Sequence, residues 1–120
     1  MLGVNDVCFL RVEDVTKALQ TIARAHRESV KAKVIGITGS RGKTTVKEWL
    51  YQLLEPDCNV VRSPRSFNSR IGVPLSLWEI TPDTETAIIE AGVSRSGEMN
   101  TLQNMIKPSI GIITNISSEH

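Results

Sequence analysis

One run in this chain has residue types in an order that could do phosphate chemistry: Gly39, Ser40, Arg41, Gly42, Lys43, Thr44 and Thr45. Glycines let the backbone turn through conformations closed to residues with a Cβ, so successive N–H groups can converge on an anion at the positive end of a helix. The expected geometry points the amides around Ser40 and Arg41 into one anion-sized hollow, with the Lys43 ammonium beside it. Lys43 would supply a point charge for the β and γ phosphates, and the Thr44 hydroxyl is placed to bind Mg²⁺. The general phosphate-loop pattern wants a glycine five residues before Gly42, where this chain has Ile37, with Gly36 and Gly39 nearest, so the match is partial. The same residues also suit a plain strand-to-helix turn. The surrounding strand-turn-helix pattern favours phosphate.

A second chemical position is Glu90, in the run TAIIEAG. A carboxylate within an apolar strand is costly to bury without a cation, and Mg²⁺ would be such a partner at the carboxyl end of a strand. Glu90 could equally begin a solvated loop. His120 closes the chain after ITNISSE, but on its own says little, because magnesium prefers oxygen ligands. His26 lies beside Arg24 and Arg27 in a helical pattern and reads as a solvated or packed residue without a chemical role. Arg62, Arg65 and Arg70 surround Ser66, Phe67, Asn68 and Ser69. They describe either an anion-receiving loop or a solvated face.

The elements that must position these residues follow from periodicity. Residues 34–38, VIGIT, are apolar throughout and read as a strand buried on both faces; 59–62, 86–91 and 110–114 are further strands, and 6–10 a short one. Asp14 is a plausible N-cap for a helix in which Val15, Ala18, Leu19 and Ile22 share a face, ending near Glu28. After Gly42, the residues Val46, Trp49, Leu50, Leu53 and Leu54 form one apolar stripe on a helix closed by Pro56. Pro74 suits the first turn of a helix over 75–80, and Met99, Leu102 and Ile106 mark another over 97–106, stopped by Pro108. Strands alternating with helices predict an α/β fold, a parallel sheet with helices on both faces of the kind found in P-loop NTPases.

Composition narrows the function classes. The 120 residues are 40% hydrophobic and 22% charged, as expected of an ordinary globular domain with one core. A formal net charge of +1, with only Phe67 near the arginines for stacking, argues against nucleic acid as a partner. Cys8 and Cys58 form no CxxC pair and read as buried thiols in a reducing compartment. No apolar run reaches the roughly 20 residues of a membrane-spanning helix, so the reading is cytoplasmic, without membrane insertion.

Four segments in order, GITGSRGKTTVKEW, FNSRIGVP, IIEAGVSRSGEM and KPSIGIITNISSEH, resemble the central-domain motifs of the Mur ligases over residues 34–120. The GEM and NSRIGVP segments are most similar to the branch of that family that adds D-alanyl-D-alanine to UDP-N-acetylmuramoyl-tripeptide. The resemblance implies a reaction in which ATP phosphorylates a peptide carboxylate, the amine of D-alanyl-D-alanine attacks the acyl phosphate, and phosphate leaves. It further implies that Gly39 through Thr45 hold the triphosphate, with Lys43, Glu90 and His120 catalytic. Thr44 and Glu90 would hold Mg²⁺, His120 would lie at a second Mg²⁺, and Asn68 would lie on the substrate side.

The same resemblance implies that residues 1–30 are the end of an N-terminal region with a connecting helix, and 31–120 the first part of an ATP-binding central domain. The remaining ligase domains would then be supplied in cis, and this chain alone would be inactive. Some such ligases are fused to an alanine racemase; nothing in these residues bears on that. Two other readings stay open on the sequence: a nucleotide-binding regulatory module that makes no covalent product, and another Mur or folylpolyglutamate-type ligase.

Overall fold

The computed structural model describes residues 6–92 and 97–117. Its elements in chain order are α1 (Val15–Ser29), β1 (Lys33–Thr38), α2 (Lys43–Leu54), β2 (Val60–Arg62), α3 (Gly72–Leu77), β3 (Thr86–Glu90), α4 (Glu98–Ile106) and β4 (Ile110–Ile113). The four strands form one parallel sheet in the order β2-β3-β1-β4, with Ile37 opposite both Glu90 and Ile112. The α/β architecture and four of the five expected strands are therefore present. Residues 7–10 form no strand, and Val7, Phe9 and Leu10 are exposed: the VCFL run finds no sheet edge to pair with.

Side chains alternate across a strand, so each strand addresses two helical layers. Val34, Ala87, Ile89 and Ala91 face the larger core, which they share with Ala23, Val73, Leu77, Leu102, Met105 and Ile106 of α1, α3 and α4. Ile88 and Glu90 face the other way, toward α2, which packs on β1, β2 and β3. The edge strand β4 is less covered than the sequence suggests, with Ile110 and Ile113 exposed.

Both long amphipathic helices are rotated from the faces read in the sequence, and for the same reason. In α2 the expected stripe leaves Trp49 63% and Leu53 73% exposed, while Lys47 is fully buried. In α1, Val15 and Ile22 are exposed and Ala23 enters the core. Polar side chains with fixed acceptors decide the orientation. The His26 ring bonds the Ile80 carbonyl at 2.7 Å and meets Trp78 edge-on, and Arg27 Nε donates to the Ile106 carbonyl at 2.8 Å, closing the end of α4. Asp14 caps α1 as expected, accepting from the Lys17 N–H at 3.1 Å.

Helix α3 begins earlier than residue 75 because the Ser69 hydroxyl accepts the Gly72 N–H at 3.0 Å and starts the turn before Pro74. Pro74 still falls in the first turn, where its missing N–H costs nothing. The cysteines differ from expectation: Cys8 is exposed, and Cys58 is half-buried with its thiol on the Leu54 carbonyl. No helix among the described residues is long and apolar enough to cross a membrane.

The rotation of α2 has a measurable consequence. Leu77→Ala should cost about 2–5 kcal/mol by opening a cavity in the larger core, and Trp49→Ala about 1 kcal/mol or less, both measured by urea unfolding. Equal losses would place Trp49 in a core that the structure denies it.

Candidate functional site

The strand order reverses direction between β1 and β3. The chain leaves β1 through α2 on one face, whereas β3 leads through α4 to β4 with the other layer, so the carboxyl ends of β1 and β3 form the switch point at which open parallel sheets bind ligands. The Thr38 hydroxyl links the two strand ends, donating to the Ala91 carbonyl at 2.8 Å. The run singled out first in the sequence sits there.

Two glycines shape that turn. Gly39 has φ +136° and Gly42, at the N-cap of α2, has φ +86°, both in the region that favours glycine. A Cβ on Gly39 would also collide with Thr114 Oγ1. No side chain caps α2, so the first-turn N–H groups of Lys43, Thr44 and Thr45 lack a helical partner and lie at the positive end of the helix dipole. The Lys43 ammonium bends back over the turn and donates to the Gly39 carbonyl at 2.7 Å.

The Ser40 and Arg41 amides do converge on a single oxygen, but that oxygen belongs to a side chain. Asn115 Oδ1 accepts from Ser40 N–H at 3.1 Å and from Arg41 N–H at 2.9 Å. The expectation of an open hollow at these two amides is thus corrected: residue 115, distant in sequence, fills it. The donors left for an anion are those of the first turn of α2, together with Lys43.

Beside the turn, Glu90 is fully buried at the end of β3. Thr44 Oγ1 lies 3.1 Å from both of its carboxylate oxygens, Asn68 Nδ2 lies 3.3 Å from Oε1, and Lys47 Nζ lies 3.0 Å from Oε2. Its backbone N–H donates to Ser63 Oγ at 2.9 Å. The structure therefore brings Thr44, Asn68 and Glu90 together and holds Glu90 in the interior rather than in a solvated loop. Asn68 is fixed in turn, because its carbonyl accepts the Gly92 N–H at 2.6 Å.

The cation that the sequence reading missed is Lys47. It is 0% exposed and donates to the Ser63 carbonyl at 2.7 Å and to the Arg65 carbonyl, besides pairing with Glu90. A signal was available: position 47 lies one turn after Thr44 and so shares its helix face. The apolar stripe one residue away masked it.

The oxygen donors of Thr44 and Glu90 are adjacent and suit Mg²⁺, which is held by one or two carboxylates together with substrate phosphates. No group of three or more His, Cys, Asp and Glu gathers among the described residues. His120 lies outside the described residues. The arginine cluster does not act as one unit: Arg62 pairs with Glu48 at 3.0 Å and stacks on Tyr51 at 3.6 Å, while Arg65 and Arg70 offer backbone carbonyls to Lys47 and Gln20.

Comparison with known proteins fits this geometry. The Mur ligase middle domain family matches residues 37–120. Among curated relatives, the UDP-N-acetylmuramoyl-tripeptide--D-alanyl-D-alanine ligase of Bacillus subtilis is 38% identical over 91% of this chain and 24% of its own length. The protein of the same name from Borreliella burgdorferi is 45% identical over 93% of the chain and 24% of its own length. Among solved structures, MurF from Acinetobacter baumannii superposes with a TM-score of 0.87 at 33% identity, covering 92% of this chain and 24% of that one. MurF ligase from Thermotoga maritima in complex with ADP gives 0.83 at 33% identity, covering 96% and 27%. The chain spans about a quarter of the length of the curated relatives it matches.

Removing one partner of a buried ion pair leaves the other uncompensated. Lys47→Met should therefore destabilise the protein by about 3–5 kcal/mol in urea unfolding, and adding Glu90→Gln should recover most of the loss. Strictly additive losses would show that the two groups are not coupled.

Proposed function

The chain belongs to the Mur ligase family, and from that premise we propose that it is the ATP-handling part of an enzyme that joins D-alanyl-D-alanine to UDP-N-acetylmuramoyl-tripeptide in cell-wall synthesis. The observation that carries the reading is the meeting of an uncapped helix start, bearing Lys43, with the Thr44, Glu90 and Asn68 cluster at the reversal point of the sheet. Support comes from the two curated relatives' names and from the ADP complex of the Thermotoga maritima structure.

In this reading ATP phosphates rest on the first-turn amides of α2, Lys43, Thr44 and Thr45, within a loop turned by Gly39 and Gly42 and framed by Ser40 and Arg41. Lys43 leaves the Gly39 carbonyl to neutralise charge that develops as the γ phosphoryl group moves to the tripeptide carboxylate. Thr44 and Glu90 would hold Mg²⁺ and His120 would lie at a second Mg²⁺, ions that would supply further neutralisation of the phosphate oxygens. Asn68 keeps Glu90 oriented on one side and faces the substrate on the other. The amine of D-alanyl-D-alanine then displaces phosphate from the acyl phosphate, and an amide forms.

Since the matched relatives are about four times longer, we place the remaining substrate-binding surfaces on further ligase domains in cis, in a cytoplasmic enzyme. Residues 1–30 would lead into the nucleotide domain that occupies 31–120. The chain by itself is then a nucleotide binder without turnover.

Calorimetry with Mg·ADP tests the site. The wild-type chain should bind, and Lys43→Ala should weaken binding at least about 100-fold, given the charge-assisted contacts it removes. Unchanged affinity in that variant would remove the basis of the reading. In the complete ligase, phosphate release should require ATP, the UDP-muramoyl tripeptide and D-alanyl-D-alanine together; release that ignores the dipeptide would sink the assignment of the reaction.

A further inference from the structure

The segment that follows β4, residues 114–117, lies along the phosphate loop and is bonded to it at several points. Ser40 N–H is shared between the Asn115 carbonyl at 3.0 Å and Asn115 Oδ1 at 3.1 Å, and Arg41 N–H donates to the same Oδ1 at 2.9 Å. The Thr114 hydroxyl donates to the Arg41 carbonyl at 2.5 Å, and the Ser117 N–H donates to Ser40 Oγ at 2.9 Å. Thr114 also continues the sheet ladder, donating its N–H to the Thr38 carbonyl at 3.0 Å. The contact is close enough that Gly39 has no room for a Cβ.

We propose that Asn115 is a positioning residue for nucleotide binding: it straps the Ser40–Arg41 half of the loop to the end of β4, so that those two amides anchor the loop and the phosphates are gripped by the α2 half. The inference rests on the nucleotide reading above and adds a division of labour within the loop.

The same Asn115 contact could instead be a plug that nucleotide must displace. Three features favour a strap. The backbone of the segment takes part as well as the side chain, through the Asn115 carbonyl and the Ser117 N–H. Carbonyl as well as amide groups of the loop are engaged, at Arg41, and a phosphate could not replace a donor to a carbonyl. The first-turn donors of α2, meanwhile, have no side-chain cap and stay available. A loop already held in its binding shape avoids an ordering cost on association.

Amide exchange and Mg·ADP titration of the ¹⁵N-labelled chain decide the matter. In the wild type the Ser40 and Arg41 amides should be protected from exchange and should remain so on saturation with Mg·ADP, while the Lys43, Thr44 and Thr45 amides shift. Asn115→Ala should lose that protection and bind Mg·ADP about tenfold more weakly, whereas Asn115→Asp, which keeps an acceptor oxygen, should retain the protection. Tighter or unchanged Mg·ADP binding by Asn115→Ala would overturn the strap, as would release of the Ser40 and Arg41 amides on nucleotide binding. Should Asn115→Ala fail to fold, the wild-type titration still decides. A wild-type chain that binds no Mg·ADP overturns the nucleotide reading itself; rapid exchange of Ser40 and Arg41 in the free chain overturns the strap separately.

Discussion

An ionised carboxylate cannot be left in a protein interior without compensation, and Glu90 is fully buried. Its position at the end of β3, facing α2, sets terms for everything nearby. Lys47 must turn inward to meet it, which rotates α2 and sends Trp49 and Leu53 toward solvent. Thr44, one turn earlier on the same face, is then delivered to the carboxylate, and with it the start of the helix and the loop before it. Lys47 also gathers the Ser63 and Arg65 carbonyls, so the segment after β2 is drawn into the same knot and brings Asn68 within reach.

The loop at residues 39–45 is thus held from both sides of β1. Through α2 it is tied to β3 by the Thr44, Lys47 and Glu90 contacts; through Ser40 and Arg41 it is tied to the segment beyond β4. The order β2-β3-β1-β4 makes this possible, since it puts β3 and β4 on either flank of the strand that feeds the loop. A glycine-rich turn has many conformations to lose, and fixing it in the folded protein means that a ligand does not have to.

Polar anchors determine orientation elsewhere as well. Arg27 and His26 of α1 bond carbonyls at the end of α4 and after α3, and the helix turns to let them. An apolar stripe identifies a helix and its approximate face. It does not set the angle when a buried polar group with a fixed acceptor lies next to it, because an unsatisfied buried donor costs more than a partly exposed leucine.

The sequence alone determined the fold class and most of the elements that build it. Five apolar runs read as strands and four of them form, Asp14 marked a cap, and the two glycines marked the turn between strand and helix at residues 39–45. These signals are local, written within a few residues of one another. What only the tertiary structure decided was which groups meet: that Glu90 is answered by Lys47, that Asn68 joins them, and that Asn115 takes the amides of Ser40 and Arg41. Each pairing joins residues distant in the chain or hidden within an apolar pattern, and it exists because parallel strands laid side by side bring their carboxyl ends to one edge. Side-chain spacing along a single segment carries no record of that edge.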